Sequence, residues 1–162
     1  MKKSFVIIVF VLYSVLSLHA QDYKTSLGLR AGLPFGLSGA TIRHFLNKTD
    51  AVEGIVASNF EGIIATGLFE NEHWTGYYPG INWYWGMGAH VGFWRSGVNR
   101  YINSAQSYSG GPVIGLDGIL GVEYTFDEIP LNLSVDVLPN VNLFGVPGWN
   151  LVNGAISIRY VF

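Results

Sequence analysis

Apolar and polar residues alternate with a period of two over most of the chain beyond residue 24. The clearest example is the segment 81–94, in which Ile81, Trp83, Trp85 and every second residue after them up to Phe93 is apolar. The residues between them are mainly glycine or polar. Because successive side chains of an extended strand point to opposite faces of a sheet, this pattern predicts strands with one apolar face. The fold is therefore expected to be all-β.

The pattern predicts eight strands, separated by segments rich in glycine, proline, asparagine and aspartate. The predicted strands cover residues 25–33, 37–46, 51–58, 63–70, 81–94, 112–126, 131–144 and 151–162. Inside the seventh strand, Pro139 predicts a bend or bulge, because proline cannot donate a hydrogen bond to a neighbouring strand. The connections at 47–50, 71–80 and 127–130 are expected at one end of the sheet, and those at 34–36, 59–62, 95–111 and 145–150 at the other.

The composition is unusual for a soluble domain. Hydrophobic residues make up 49% of the chain and aromatic residues 15%, whereas only 12% are charged, about half of the usual ~25%. Apolar content divided into short alternating strands is what a membrane barrel requires, because its outer face contacts lipid while its backbone groups pair between strands. The sequence therefore predicts an eight-stranded antiparallel up-and-down transmembrane β-barrel.

The first twenty residues have the features of a secretory signal peptide. Lys2 and Lys3 precede a mostly apolar run from Phe5 to Leu18, and a small residue, Ala20, follows it. A membrane-anchoring helix is the alternative, but it needs ~20 apolar residues, and this run is shorter. We therefore predict a signal peptide at residues 1–20 and a barrel domain at residues 21–162.

The barrel domain is mildly acidic and contains no cysteine. Removing residues 1–20 leaves seven Lys and Arg residues against eleven Asp and Glu residues, a formal net charge of −4. This charge gives no basic patch for nucleic acid, so no nucleic-acid partner is expected. Without disulfides, the domain must obtain its stability from packing, from the sheet or from a membrane.

Three segments resemble the small eight-stranded outer-membrane barrels of Gram-negative bacteria. They are IGLDGILGVEY at 114–124, EIPLNLS at 128–134 and ISIRYVF at 156–162, which ends on Phe162. The predicted architecture is similar to that of OmpA and OmpX. The three sequence segments are similar to those of the Bacteroidetes-type outer membrane protein beta-barrel domain. The resemblance implies a monomer in the outer membrane, delivered by the barrel-assembly machinery, which reads the terminal aromatic residue. It also implies periplasmic turns and external loops, with a structural, adhesive or surface-binding role.

If the apolar faces point outward, eight charged side chains point into the barrel. They are Arg30, Arg43, Glu53, Glu70, Asp117, Glu123, Asp136 and Arg159. An eight-stranded interior is only just wide enough for side chains, so an ion-pair network that fills it is expected. Arg30 and Arg159 should be neighbours where the last strand meets the first, with Asp136 as the nearest carboxylate. An ion pathway or a buried acid–base pair is the alternative.

Aromatic residues on the outward faces predict a girdle at the membrane interface and, at the C-terminus, an assembly signal. These residues are Trp83, Trp85, Phe93, Tyr124, Phe126, Tyr160 and Phe162. A second set lies in the predicted loops and suits a carbohydrate-stacking surface instead. It consists of Trp74, Tyr77, Tyr78, Tyr101, Tyr108 and Trp149.

The sequence predicts no catalytic residue, no cofactor and no metal site. Glu70, Glu72 and His73 could form a weak surface metal site. Outer-membrane barrels that modify lipids as hydrolases or acyltransferases use a Ser or His together with a carboxylate. His90, near the external end of the fifth strand, is therefore the residue to test for such an activity. A soluble periplasmic barrel that binds an apolar ligand is a third reading. A surface ligand, if there is one, is expected at the loop 95–111.

Overall fold

A computed structural model of the chain describes residues 24–33, 36–59, 62–95, 97–98, 107–108, 110–145, 148–150 and 153–162. The described residues form β1 (Thr25–Leu33), β2 (Ser38–Phe45), β3 (Asp50–Ser58), β4 (Gly62–Trp74), β5 (Ile81–Trp94), β6 (Gly97–Val98), β7 (Ser107–Tyr108), β8 (Gly111–Thr125), β9 (Leu131–Val137), β10 (Asn140–Phe144), β11 (Gly148–Asn150) and β12 (Gly154–Val161). The predicted signal peptide at 1–20 and most of the loop 95–111 lie outside the described residues.

The strands form a closed barrel in which every pairing is antiparallel. Strands β1 to β5 pair in chain order, β5 pairs with β8, and β8 pairs with both β9 and β10. Closure is made by β12, which pairs with β9 on one side and with β1 on the other. Thr25 and Phe162 exchange backbone hydrogen bonds of 3.1 and 2.9 Å. The predicted all-β, eight-stranded antiparallel barrel is confirmed, with β9 and β10 as the two halves of its seventh strand and β11 and β12 as the parts of its eighth.

The largest difference from the predicted strand boundaries is at the end of β4. β4 continues to Trp74, which shortens the following turn to residues 75–80, because Asn71–Trp74 pair with Trp85–Asn82 of β5. Across this extension the rings of His73 and Trp83 stack at 4.5 Å. The predicted seventh strand is interrupted at 138–139, as Pro139 suggested, and there the Gly118 N–H donates to the Pro139 carbonyl at 2.8 Å.

Two predicted connections contain short strands. Within 95–111, β6 and β7 form a small two-stranded sheet of their own, and within 145–150, β11 pairs with β10. We call the end of the barrel with the turns 46–49, 75–80 and 126–130 the turn end, and the opposite end the loop end. Both termini of the described barrel lie at the turn end.

The two faces of the wall differ in polarity. Large apolar side chains are exposed on the outer face of every one of the eight barrel strands, for example Leu29 at 67% and Met87 at 62%. The inner face carries most of the buried charged and polar side chains. An apolar outer surface of this extent is unusual for a soluble monomer. The described residues include no helix of the length and apolar character needed to cross a bilayer.

Glycine on the inner face lets neighbouring strands approach closely. At Gly28 of β1, an added Cβ would collide with the Ile158 carbonyl oxygen and the Arg159 Cα of β12. Gly67 on the outer face of β4 is different, because an added Cβ there would meet no atom within 4 Å. The inner glycines are thus required by the tight closure of the wall, whereas Gly67 is not.

Candidate functional site

The barrel interior holds the charged side chains of the wall. The structure places all eight residues of the predicted lumen set on the inner face, each no more than 6% exposed. Seven of them join two groups of contacts in the half of the lumen nearer the turn end. The eighth, Asp117, lies nearer the loop end and contacts His90.

Arg43 of β2 is the centre of the larger group. Its Nε lies 2.7 Å from Glu70 Oε2 of β4, and its Nη1 donates to Glu123 Oε2 of β8. Its Nη2 lies 3.7 Å from Glu53 Oε2 of β3. The guanidinium also lies 4.3 Å from the ring centroid of Tyr84, over the aromatic face. One arginine therefore connects strands on opposite sides of the barrel.

Arg159 of β12 completes this group from the closing strand. Its Nη2 donates to Glu53 Oε1 at 2.6 Å, and its Nη1 donates to Ser134 Oγ at 2.8 Å and to Asn132 Oδ1 at 3.3 Å. Glu53 also accepts a hydrogen bond from the Thr41 hydroxyl. Glu53 thus bridges the two arginines, and its bonds connect β3 with β2 and β12.

A second, smaller group joins the first strand to the ninth. Arg30 of β1 forms a bidentate ion pair with Asp136 of β9, with one N–H···O distance of 2.7 Å. The Tyr84 hydroxyl donates to Asp136 Oδ2 at 3.2 Å. Because Tyr84 also lies beneath Arg43, its side chain connects the two groups. The structure brings Arg30 to Asp136, the carboxylate that the strand order indicates.

An apolar layer crosses the lumen on the loop side of these ion pairs. It consists of Ile55, Ala57, Leu68, Ile119 and Leu138, packed in one cluster with Tyr84. Ile55 and Leu68 each lie one inward position closer to the loop end than Glu53 and Glu70. These side chains are 3–6% exposed. The lumen is therefore filled by side chains of both kinds, and the apolar layer has no counterpart in the sequence prediction.

His90 lies beyond the apolar layer, toward the loop end. Its Nδ1 is 2.9 Å from Asp117 Oδ2, and its Nε2 is 3.0 Å from Asn142 Oδ1. The residue is 2% exposed. Both ring nitrogens are therefore engaged by side chains of β8 and β10, which fix the orientation of the imidazole.

The predicted girdle residues lie mainly toward the turn end. Trp83, Trp85 and Tyr124 are 38–44% exposed on the outer face. The rings of Tyr124 and Phe126 meet edge to face at 4.7 Å, and those of Tyr160 and Phe162 stack at 6.1 Å. Phe93 is the exception, since it lies one residue from the loop end of β5 and is 54% exposed.

The second aromatic set does not form one surface. Trp74, Tyr77 and Tyr78 are exposed at the turn end, around the turn 75–80. Tyr108 and Trp149 belong to β7 and β11 at the loop end, and Tyr101 lies outside the described residues. A single carbohydrate-stacking surface that joins Trp74, Tyr77 and Tyr78 with β7 and β11 is therefore excluded, because these parts lie at opposite ends of the barrel.

The weak metal site suggested for Glu70, Glu72 and His73 is also wrong. β4 continues through these residues, so Glu70 and Glu72 point inward while His73 points outward onto Trp83. Among the described residues, no three His, Asp or Glu side chains are placed to hold a metal ion. Glu72 instead joins the luminal group, where its Oε2 lies 4.0 Å from Arg43 Nη1. Glu72 is two residues from Glu70, and this spacing in the sequence was the signal that both side chains lie on the inner face.

A solved structure has a similar fold. The N-terminal β-barrel domain of OprF from Pseudomonas aeruginosa matches with a TM-score of 0.60 and 15% sequence identity, over 87% of this chain and 98% of that one. No protein-family model matches the chain, and no curated protein sequence matches it significantly. At this identity the similarity concerns the fold alone. The chain therefore shares the fold of that domain, a closed antiparallel β-barrel.

Proposed function

We propose that the protein is a monomeric outer-membrane β-barrel with a structural, adhesive or surface-binding role and no open pore. The observation that carries this proposal is the filled lumen. Ion pairs around Arg43 and Arg159 occupy its turn half, and the layer of Ile55, Leu68 and Ile119 crosses it above them. A barrel of eight strands whose interior is filled in this way acts through its outer face and its loops.

The outer face supports a location in lipid. Its exposed apolar side chains occur on all eight strands, whereas the arginines and glutamates of the described strands point inward. The partners in this proposal are outer-membrane lipid and, during biogenesis, the barrel-assembly machinery. Export through a signal peptide at residues 1–20 and membership of the Bacteroidetes-type group belong to the same proposal. A surface ligand would bind at the loop 95–111.

Fractionation tests the location. Outer membranes are separated from soluble proteins, and the fraction that holds the protein is run in SDS gels with and without boiling. We expect the protein in the outer membrane, with a band that migrates differently before heating, because a folded barrel resists SDS. Release by osmotic shock together with no heat-dependent migration would instead indicate a soluble periplasmic barrel that binds an apolar ligand.

Planar bilayer recordings test the absence of a pore. The purified protein should give conductance near zero, because ion pairs and a layer of apolar side chains occupy the lumen. A matched control is a variant in which the apolar layer is reduced, Leu68→Gly with Ile119→Gly. Regular single-channel steps from the unmodified protein would contradict the proposal and favour an ion pathway.

A lipid-modifying activity is the second candidate, and the contact between His90 and Asp117 favours it. An imidazole held by a carboxylate is a common part of a general base. If this activity exists, the lipid A and phospholipid species of a deletion strain should change, and His90→Ala should fail to restore them. An unchanged lipid profile would leave the structural role.

A further inference from the structure

The turn half of the lumen contains more acidic than basic groups. Among the residues that the structure describes, its charged members are Arg30, Arg43, Arg159, Glu53, Glu70, Glu72, Glu123 and Asp136. Arg30 and Asp136 neutralise each other in their own ion pair. Two arginines therefore face four glutamates, and with every glutamate ionised this group would carry a net charge of −2.

Such a charge has little access to solvent. The side chains of Arg43, Glu53, Glu70, Glu123 and Arg159 are 0–2% exposed, and that of Glu72 is 12% exposed. Burying an ionised carboxylate without a partner costs several kcal/mol or more, so the group commonly binds a proton instead. The excess negative charge of the glutamates in the lumen therefore has to be neutralised.

All four glutamates of this group lie around Arg43. Its guanidinium nitrogens are 2.7 Å from Glu70, 3.7 Å from Glu53 and 4.0 Å from Glu72, and Nη1 donates to Glu123. Arg159 adds one further cation, which donates to Glu53. Two cations balance two ionised carboxylates, so the group contains two glutamates more than its positive charge can neutralise.

We propose that the lumen holds two protons at neutral pH, on the glutamates that are in excess over Arg43 and Arg159. With these protons, two carboxylates balance Arg43 and Arg159, and the group is neutral. The other polar groups that face it are the Tyr84 and Thr41 hydroxyls, Asn132, Ser134 and Asn82, and the Arg30–Asp136 pair. The His90–Asp117 pair lies on the far side of the apolar layer.

The two protons make the stability of the barrel depend on pH in a particular direction. A glutamate in an unfolded chain loses its proton near pH 4.3, so at neutral pH the folded protein holds two protons that the unfolded chain does not. Stability then falls as pH rises, and the unfolding equilibrium constant increases about ten-fold per pH unit for each proton, or about a hundred-fold for both.

Infrared spectroscopy detects these protons directly. The folded barrel in detergent micelles at neutral pH should show the C=O stretch of protonated carboxylic acid, which ionised carboxylates lack. Glu70→Gln and Glu72→Gln should each remove part of this band, because each variant leaves three glutamates beside two arginines and therefore only one excess proton. Glu128→Gln, on the exposed turn after β8, is the matched control and should leave the band unchanged.

Unfolding in denaturant gives the second readout. The pH slope should fall from about a hundred-fold to about ten-fold per unit in Glu70→Gln and in Glu72→Gln, and stay unchanged in Glu128→Gln. Absence of the acid band from the unmodified protein would overturn the proposal, as would a band that both luminal variants retain. The spectrum is read on the purified, folded barrel, so its outcome is independent of the fractionation that tests the membrane location.

Discussion

Arg30 and Asp136 form a bidentate ion pair across the strand that closes the barrel. Arg30 belongs to β1 and Asp136 to β9, and β12 lies between these two strands, paired with both. The two side chains are 5% and 0% exposed. The pair therefore spans the closing strand on the inside of the wall, 106 residues apart in the chain.

Removal of one partner from this pair should destabilise the barrel strongly. Arg30→Met leaves the Asp136 carboxylate buried, with the Tyr84 hydroxyl as the one side-chain hydrogen-bond donor that the described residues still provide. We expect a loss of about 3–5 kcal/mol in the free energy of unfolding, measured by urea titration in micelles.

The double variant Arg30→Met/Asp136→Leu is the control for this loss. It removes both charges, so it should be closer in stability to the unmodified protein than Arg30→Met is. Equal losses in the single and the double variant would show that the pair does not act as a unit.

The two glycines described above should respond differently to the same change. Gly28→Ala introduces a Cβ that collides with the backbone of β12 and should cost about 1–3 kcal/mol or prevent closure. Gly67→Ala places its Cβ in open space on the outer face and should stay within about 0.5 kcal/mol. The fraction that migrates as a folded band without boiling measures both, and similar behaviour of the two variants would contradict the inferred close approach.

A charged side chain introduced on the outer face should lower the free energy of unfolding only where the barrel wall contacts lipid. Met87→Arg, in the middle of β5, should reduce stability in lipid vesicles by about 2–4 kcal/mol. Tyr77→Arg, in the exposed turn 75–80, should change it by less than about 0.5 kcal/mol. If both variants unfold like the unmodified protein, the outer face is not in contact with hydrocarbon.

Tryptophan fluorescence tests the proposed girdle. Variants that keep only Trp83 or only Trp85 should be quenched by lipids brominated near the head group, because these rings lie on the outer face toward the turn end. A variant that keeps only Trp74 should be quenched more by aqueous iodide, since this residue is 67% exposed at the end of β4. Quenching of all three by iodide alone would contradict an interfacial girdle.

The period of two was sufficient to assign residues to the faces of the wall. It placed Arg43 and Glu123 on the inner side and Met87 on the outer side, because alternation of Cβ directions is a local property of an extended chain. It also indicated the break at Pro139, since proline cannot donate to the ladder. The boundary of β4 was missed because Asn71, Glu72 and His73 are polar residues typical of a turn, although they continue the strand.

The partners of the inward side chains depend on how the strands are staggered and where the barrel closes. Arg43 and Glu123 are 80 residues apart, and their contact exists because β2 and β8 face each other across the lumen. Alternation along one strand contains no information about which side chains meet across the lumen. It does determine which residues lie on the inner and outer faces, so the barrel class follows from local sequence alone. The group of ion pairs around Arg43 and the apolar layer of Ile55, Leu68 and Ile119 follow only from closure, which sets the inward side chains at fixed heights around one axis.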